Sequence, residues 1–215
     1  MADATLARLG SIAERRWGLF TTAQAAAAGV ARKQLSRMAT AGAIERVAHG
    51  VYRAGGAPAQ EHEAIYATWL ALGGATTPRT EAGVSSLVAA GTTAAVVHEI
   101  ADFLLDGFDF IVPARKGTRL PGVHLRIRPL SPDEVMPVNG LPTLTVERTI
   151  ADLVDIDTDM SLVADAVRNA VRADKLVSPE RLVAHLDAIS RRDGRETASD
   201  LFELAGIDPE GSGRG

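Results

Sequence analysis

The sequence predicts an α+β protein: an N-terminal winged helix-turn-helix, then a larger mixed α/β domain with a small sheet and several helices. Three patterns predict it. Between Thr21 and Gly55 the chain reads helix, glycine turn, helix, then β-hairpin; residues 109–145 hold short β-rich runs; residues 146–206 are helical in period. A chain of 215 residues is long enough for two cores, and 46% apolar with 23% charged residues is a globular composition. The boundaries read as 1–56 for the first domain and 57–215 for the second.

The first helix is expected over Ala4 to Trp17, with Leu6, Leu9, Ile12 and Ala13 at helical spacing and Gly18 ending it. Thr21 or Thr22 can cap a short alanine-rich helix that Gly29 closes. A third helix runs from near Ala31 to Thr40 and stops before Gly42. Its Leu35 and Met38 point inward by spacing, which leaves Arg32, Lys33, Gln34, Ser36 and Arg37 for the outer arc. "AIERV" and "GVYRA" form a hairpin turned at Ala48-His49-Gly50.

"GGAPAQ", Gly55 to Gln60, reads as a linker. Helices are expected over Glu61 to Leu72 and Arg79 to Ala90, the latter placing Ser85 and Ser86 inside a helix as packing residues. "FDFIVP", "GVHLRIR", "EVMPV" and "LPTLT" read as strands, with Asn139-Gly140 as a turn. In "GVHLRIR", Val123, Leu125 and Ile127 alternate with His124, Arg126 and Arg128, the period of a strand with one wet face. Helices follow near 146–156, 160–173, 179–190 and 196–205, and the tail from Asp208 is expected to fray.

Charge is distributed unevenly. The net charge is −4, yet residues 1–56 carry +5 and the rest −9. A basic module on an acidic body points to a polyanionic partner for the first domain alone. Guanidinium and amide groups on the third helix suit base edges in a major groove, and arginines on a hairpin suit phosphates. The expected DNA-contacting set is therefore Arg32, Lys33, Gln34 and Arg37 on the helix, with Arg46, His49 and Arg53 on the wing. About five such contacts predict a log–log salt slope of roughly −4 to −5. The alternative is a packing module whose arginines are merely solvated.

The absence of cysteine excludes disulfides and thiolate metal sites. No apolar run reaches the roughly 18 residues of a membrane span, and the N-terminus has no secretion-signal core. No membrane partner and a cytoplasmic location are expected. The five histidines lack metal-ligand spacing, so no metal is expected, and neither GxSxG nor a phosphate-binding glycine loop occurs.

In the second domain "TVERTIADLVDIDTD" is the densest polar cluster. Arg148, Asp152 and Asp155 fall on one helix face and are the candidate catalytic residues. Against this stands a surface Arg148–Asp152 pair of a few tenths of a kcal/mol. Asp155, Asp157 and Asp159 alternate like calcium ligands, but Met160 and Ala166 occupy positions where that motif needs glycine and glutamate. A second basic feature joins His124, Arg126 and Arg128 to Arg115, Lys116 and Arg119. It reads equally as an anion site and as a wet sheet face balanced by acids.

The stretch "LFTTAQAAAAGVARKQLSRMATAGAIERVAHGVYR" resembles the N-terminal winged helix of AbiEi-type antitoxins of bacterial toxin–antitoxin operons. The resemblance continues through "RTEAGVSSLVAAG", "FIVPARKG" and "VHLRIRPLSPDEVMPVNGLPTLTVERTIADLV", covering roughly residues 15–175. It departs at Arg79-Thr80-Glu81, where relatives often have Ser-His-Glu. The resemblance implies a winged helix that represses its own operon at promoter repeats. It also implies a C-terminal domain that counteracts a nucleotidyltransferase-like toxin, in the usual description without a stable complex. Operator DNA and that toxin are the implied partners, and no cofactor is implied. One alternative is a kinase-like phosphotransferase that inactivates the toxin with ATP and magnesium, using Asp152, Asp155, Asp157 and Asp159. The other is a plain transcriptional regulator.

Overall fold

A computed structural model describes residues 2–193 and 197–207. The chain falls into two compact units, one running to Pro78 and joined by Thr118–Leu120, the other starting at Arg79. The stretch expected to be the linker, Gly55 to Gln60, thus lies inside the first unit. The tail expected to fray, and residue 196 of the last predicted helix, lie outside the described residues.

The first unit runs α1 (Ala2–Ala13), β1 (Leu19–Thr21), α2 (Thr22–Ala27), α3 (Arg32–Thr40), β2 (Ile44–Ala48), β3 (Val51–Ala54) and α4 (Glu63–Ala71). The three strands form an antiparallel sheet in the order β1-β3-β2. Helices, sheet order and hairpin are those of a winged helix. β1 was not expected: three residues are too few to show alternation, and only pairing with β3 reveals it. α1 also stops earlier than its periodicity suggests. Trp17 and Gly18 adopt left-handed backbone (φ 57° and 77°), turning the chain into β1.

Leu9, Phe20, Ala25, Val30, Leu35, Ile44 and Tyr52 close one core on the helical side of the sheet. Burying such side chains stabilises the fold by roughly 1.5–3 kcal/mol each. Period two sends Leu19 and Val51, both fully buried, to the other face. α4 packs against all three strands there, so the sheet lies between two helical layers.

The second unit contains β4 (Val88–Ala89), α5 (Gly91–Val97), β5 (Phe108–Val112), β6 (Val123–Ile127), a 3-10 turn at Pro132–Glu134, β7 (Val135–Val138) and β8 (Leu141–Leu144). Then come α6 (Val146–Asp155), α7 (Met160–Arg172), α8 (Pro179–Asp193) and α9 (Thr197–Ala205). The mixed sheet has the order β6-β5-β4-β8-β7, with β5/β6 and β4/β8 parallel. Asn139 (φ 48°) and Gly140 (φ 84°) make the tight turn between β7 and β8. Ile150, Leu153, Val163, Val167, Leu182, Leu186 and Leu201 form the buried seam of α6–α9.

The helix expected over Arg79 to Ala90 is absent. Thr80 Oγ1 accepts the Val84 N–H at 3.1 Å in a tight turn, and the chain then extends into β4. Gly91, expected to close that helix, instead opens α5. Ser85 Oγ donates to the Leu87 carbonyl at 3.0 Å within this irregular segment.

Candidate nucleic-acid interface

α3 is held by its inward Leu35, which is fully buried, and this fixes the outward arc. Arg32, Lys33, Ser36, Arg37 and Thr40 are exposed. Among the described residues Arg32, Lys33 and Arg37 form no ion pair, so three cations stand on one open helical face. Gln34 is turned the other way: it is half-buried, with Nε2 3.5 Å from Thr5 Oγ1 of α1. It therefore leaves the outer arc on which the sequence placed it.

The turn before α3 is set by α2. Thr21 caps α2 by accepting the Gln24 N–H at 3.1 Å, while Gln24 Oε1 accepts the Thr21 N–H at 2.8 Å. This reciprocal box is worth about 1 kcal/mol. The wing tip is tied to the same helix start, since the Gly50 carbonyl accepts from the Thr22 N–H at 2.8 Å and Thr22 Oγ1 at 3.2 Å. Arg46 and His49 are exposed on the wing. A register shift between Arg46 and Ala48 marks a bulge there.

Arg53 is the correction among the wing residues. Its Nη1 donates to both carboxylate oxygens of Glu63 on α4, at 3.0 and 2.8 Å, and its Nη2 pairs with Glu45 across the sheet. The side chain is 16% exposed and is not displayed to a duplex. Glu63 had no local signal, because the pairing depends on how α4 folds back.

In the second unit the candidate face of α6 is brought together, but into a closed charge cluster. Asp152 is wholly buried. It accepts Arg126 Nη1 at 2.7 Å, pairs with Arg126 Nη2, and accepts the Gly91 N–H at 2.8 Å. Burial opposes the charge on Arg126, but the hydrogen bonds and charge of Asp152 outweigh it and raise the guanidinium's pKa. Arg148 stands 3.8 Å from Asp152 and binds Glu134 at 2.9 Å instead. Asp155 pairs with Arg128 and, at 2.5 Å, with Arg192 through charge contacts rather than aligned hydrogen bonds.

The surface reading of the Arg148–Asp152 pair is overturned by burial. Asp152 and Asp155, the carboxylates of the catalytic reading, are both paired with arginines. Asp159 accepts Ser161 Oγ and N–H at 2.6 and 2.8 Å as the cap of α7, bonds that hold it below the usual carboxylate range. Asp157 is exposed. These acids do not fit a magnesium–nucleotide centre.

The second basic feature resolves similarly. His124 Nδ1 lies 3.4 Å from Asp109, Arg126 meets Asp152, and Arg128 meets Asp155. The alternation of β6 holds over Val123, His124 and Leu125 and reverses at Arg126 and Ile127. Arg126 turns toward the acids with a side chain 21% exposed, and Ile127 is 57% exposed. Arg115 and Arg119 are exposed and Lys116 is half-buried in the preceding loop.

An open groove of about 970 Å³ lies between the end of α5, β7 and the starts of α6 and α8. Three of its polar side chains are engaged in the fold. His98 Nε2 meets the Leu144 carbonyl at 2.7 Å, and burial lowers its pKa. Glu147 Oε1 accepts the Val177 and Ser178 N–H groups, each at 2.9 Å. Lys175 Nζ binds the His98 carbonyl at 2.7 Å and Glu99 at 3.0 Å.

The open cationic face of α3 thus stands beside a short wing that carries Arg46 and His49. Residues 8–55 match the family described as transcriptional regulator, AbiEi antitoxin. The match covers the second half of α1 and all of the helix-turn-helix and wing. It does not reach the remainder of the wider resemblance over residues 15–175. No curated protein matches the chain. Among the described residues no helix is long and apolar enough to cross a membrane.

Proposed function

We propose that the chain is an antitoxin and autorepressor whose AbiEi-type winged helix binds its own operator. The observation that carries this is the set Arg32, Lys33 and Arg37, exposed on α3 with no ion pair among the described residues. Arg46 adds a fourth cation from the wing. With Gln34 and Arg53 engaged elsewhere, four contacts give a log–log salt slope of roughly −3 to −4. A fluorescence-anisotropy titration of an operator fragment against the Arg32→Ala/Lys33→Ala/Arg37→Ala variant tests it. The slope should flatten by about three if each residue meets a phosphate, and specificity should relax wherever one reads a base. Equal operator affinity for variant and wild type would refute the assignment.

The opposing toxin is read as nucleotidyltransferase-like, and the family's description as an antitoxin supports an antagonist role. The second unit would carry that role from the cytoplasm. The triple variant should therefore still protect cells expressing the toxin while failing to repress the operon. Loss of both activities together would contradict the division of labour. The phosphotransfer alternative has no support from Asp152 and Asp155 of α6, which are held in ion pairs.

A further inference from the structure

Arg53 occupies the centre of the winged sheet. On the middle strand β3 it stands opposite Leu19 of β1 and Glu45 of β2. Its fork holds Glu63 with both carboxylate oxygens and Glu45 with the remaining nitrogen. The Arg53 and Glu63 side chains are 16% and 18% exposed, so the arm joining β3 to α4 lies largely out of water, while Glu45 holds β2 from the surface side. A second fastening lies beside it. Trp17 stacks on Tyr66 at 4.3 Å and meets Trp69 edge-on at 5.9 Å.

Both fastenings end on α4, which lies beyond the segment matched to the family. They act on a short wing. β1 supplies three residues, and the hairpin bulges between Arg46 and Ala48. Arg46, the exposed cation of the wing, directly follows the clamped Glu45, so the clamp sets the strand on which Arg46 stands.

We propose that α4 is a working part of the DNA-binding unit and that the Arg53–Glu63 pair is a positioning device for the wing. This inference rests on the DNA-binding reading above. Arg53 acts through Glu45 and Glu63 and makes no phosphate contact of its own. Preorganisation is its contribution, since a wing already in place loses less freedom on binding.

Glu63→Gln separates the two roles. Simple electrostatics predicts that removing an acid leaves DNA binding unchanged or tightens it. Loss of the clamp weakens it. Operator affinity of the full chain is measured across a salt series for wild type, Glu63→Gln, Arg53→Gln and the double variant. Glu63→Gln and Arg53→Gln should each weaken binding by about tenfold, a coupling of roughly 1.4 kcal/mol, with the double variant no worse than Arg53→Gln.

The salt slope should stay at the wild-type value in all three. An unchanged or tighter Glu63→Gln complex, or a slope flattened by about one in Arg53→Gln, would overturn the proposal. Should Glu63→Gln fail to fold, Glu63→Asp keeps the charge and shortens the reach. It should weaken binding in the same direction, and wild-type affinity there overturns the proposal equally. Arg37→Ala is the separate control. Wild-type affinity and slope in that variant would overturn the DNA reading itself, whatever the clamp variants do.

Discussion

Replacing Asp152 by alanine should unfold the second unit far more readily than any surface substitution would. The carboxylate is fully buried and serves three donors, two from Arg126 and one from the Gly91 N–H. Its removal leaves a largely enclosed guanidinium without its hydrogen-bonded counter-charge, with Asp109 and Asp155 acting only through space, and Arg126 Nε is already buried without a hydrogen bond. Breaking one side of a buried pair costs about 3–5 kcal/mol, and an orphaned buried N–H adds a share of the roughly 1–3 kcal/mol typical of such groups.

The Arg126 side chain is 21% exposed, and water there recovers part of the loss. A net cost of about 4 kcal/mol results, a large part of the roughly 5–15 kcal/mol that holds a domain together. At about 2 kcal/mol per molar, urea unfolding followed by circular dichroism should move its midpoint down by about 2 M. Asp152→Asn, which keeps an acceptor for Gly91, should lose about half as much. The double variant Arg126→Met/Asp152→Leu should recover most of the ion-pair loss, because apolar replacement of the pair removes both desolvation costs, and should retain only the roughly 1–3 kcal/mol cost of the orphaned Gly91 N–H. An Asp152→Ala midpoint within about 0.5 M of wild type would refute the account of this cluster.

Two further outcomes follow from neighbouring groups. Burial holds the His98 imidazole below its ordinary value of 6.5, so the unfolded chain takes up a proton at a pH where the folded chain does not. Stability is therefore full above about 6.5 and falls as pH drops below it, by at most about 1.4 kcal/mol per pH unit. His185 is lowered in the same direction, chiefly by burial and then by Arg148, and adds to the slope. His98→Gln should flatten the fall in urea midpoint between pH 7.5 and 5.5, and an equally steep fall would contradict it. Gly91→Ala should destabilise by more than about 2 kcal/mol, since φ is 52° and the new Cβ would lie 2.9 Å from Asp109 Oδ2. A melting temperature equal to wild type would show that the site yields.

The first unit was largely legible because its signals are local. Thr21, Gly29 and Gly42 punctuate the helices, and Leu35 defines the inner side of α3 within a single turn. The second unit hides its logic in distance. Arg126 and Asp152 meet across a strand and a helix, and no spacing rule links them. In the segment from Arg79, Val84, Leu87 and Val88 imitate helical spacing, but the Thr80–Val84 turn and the pairing of β4 prevail. Arg53 was misread for the same reason, since its partner Glu63 lies beyond an apparent linker.

The aromatic stack on α4 has a practical consequence. Both indoles of the chain, Trp17 and Trp69, belong to the first unit. Intrinsic emission excited at the red edge is thus a private optical channel for the winged-helix unit, and the second unit is dark in it. An emission maximum that stays put while dichroism is lost would report the second half melting with the first still folded, without any added label.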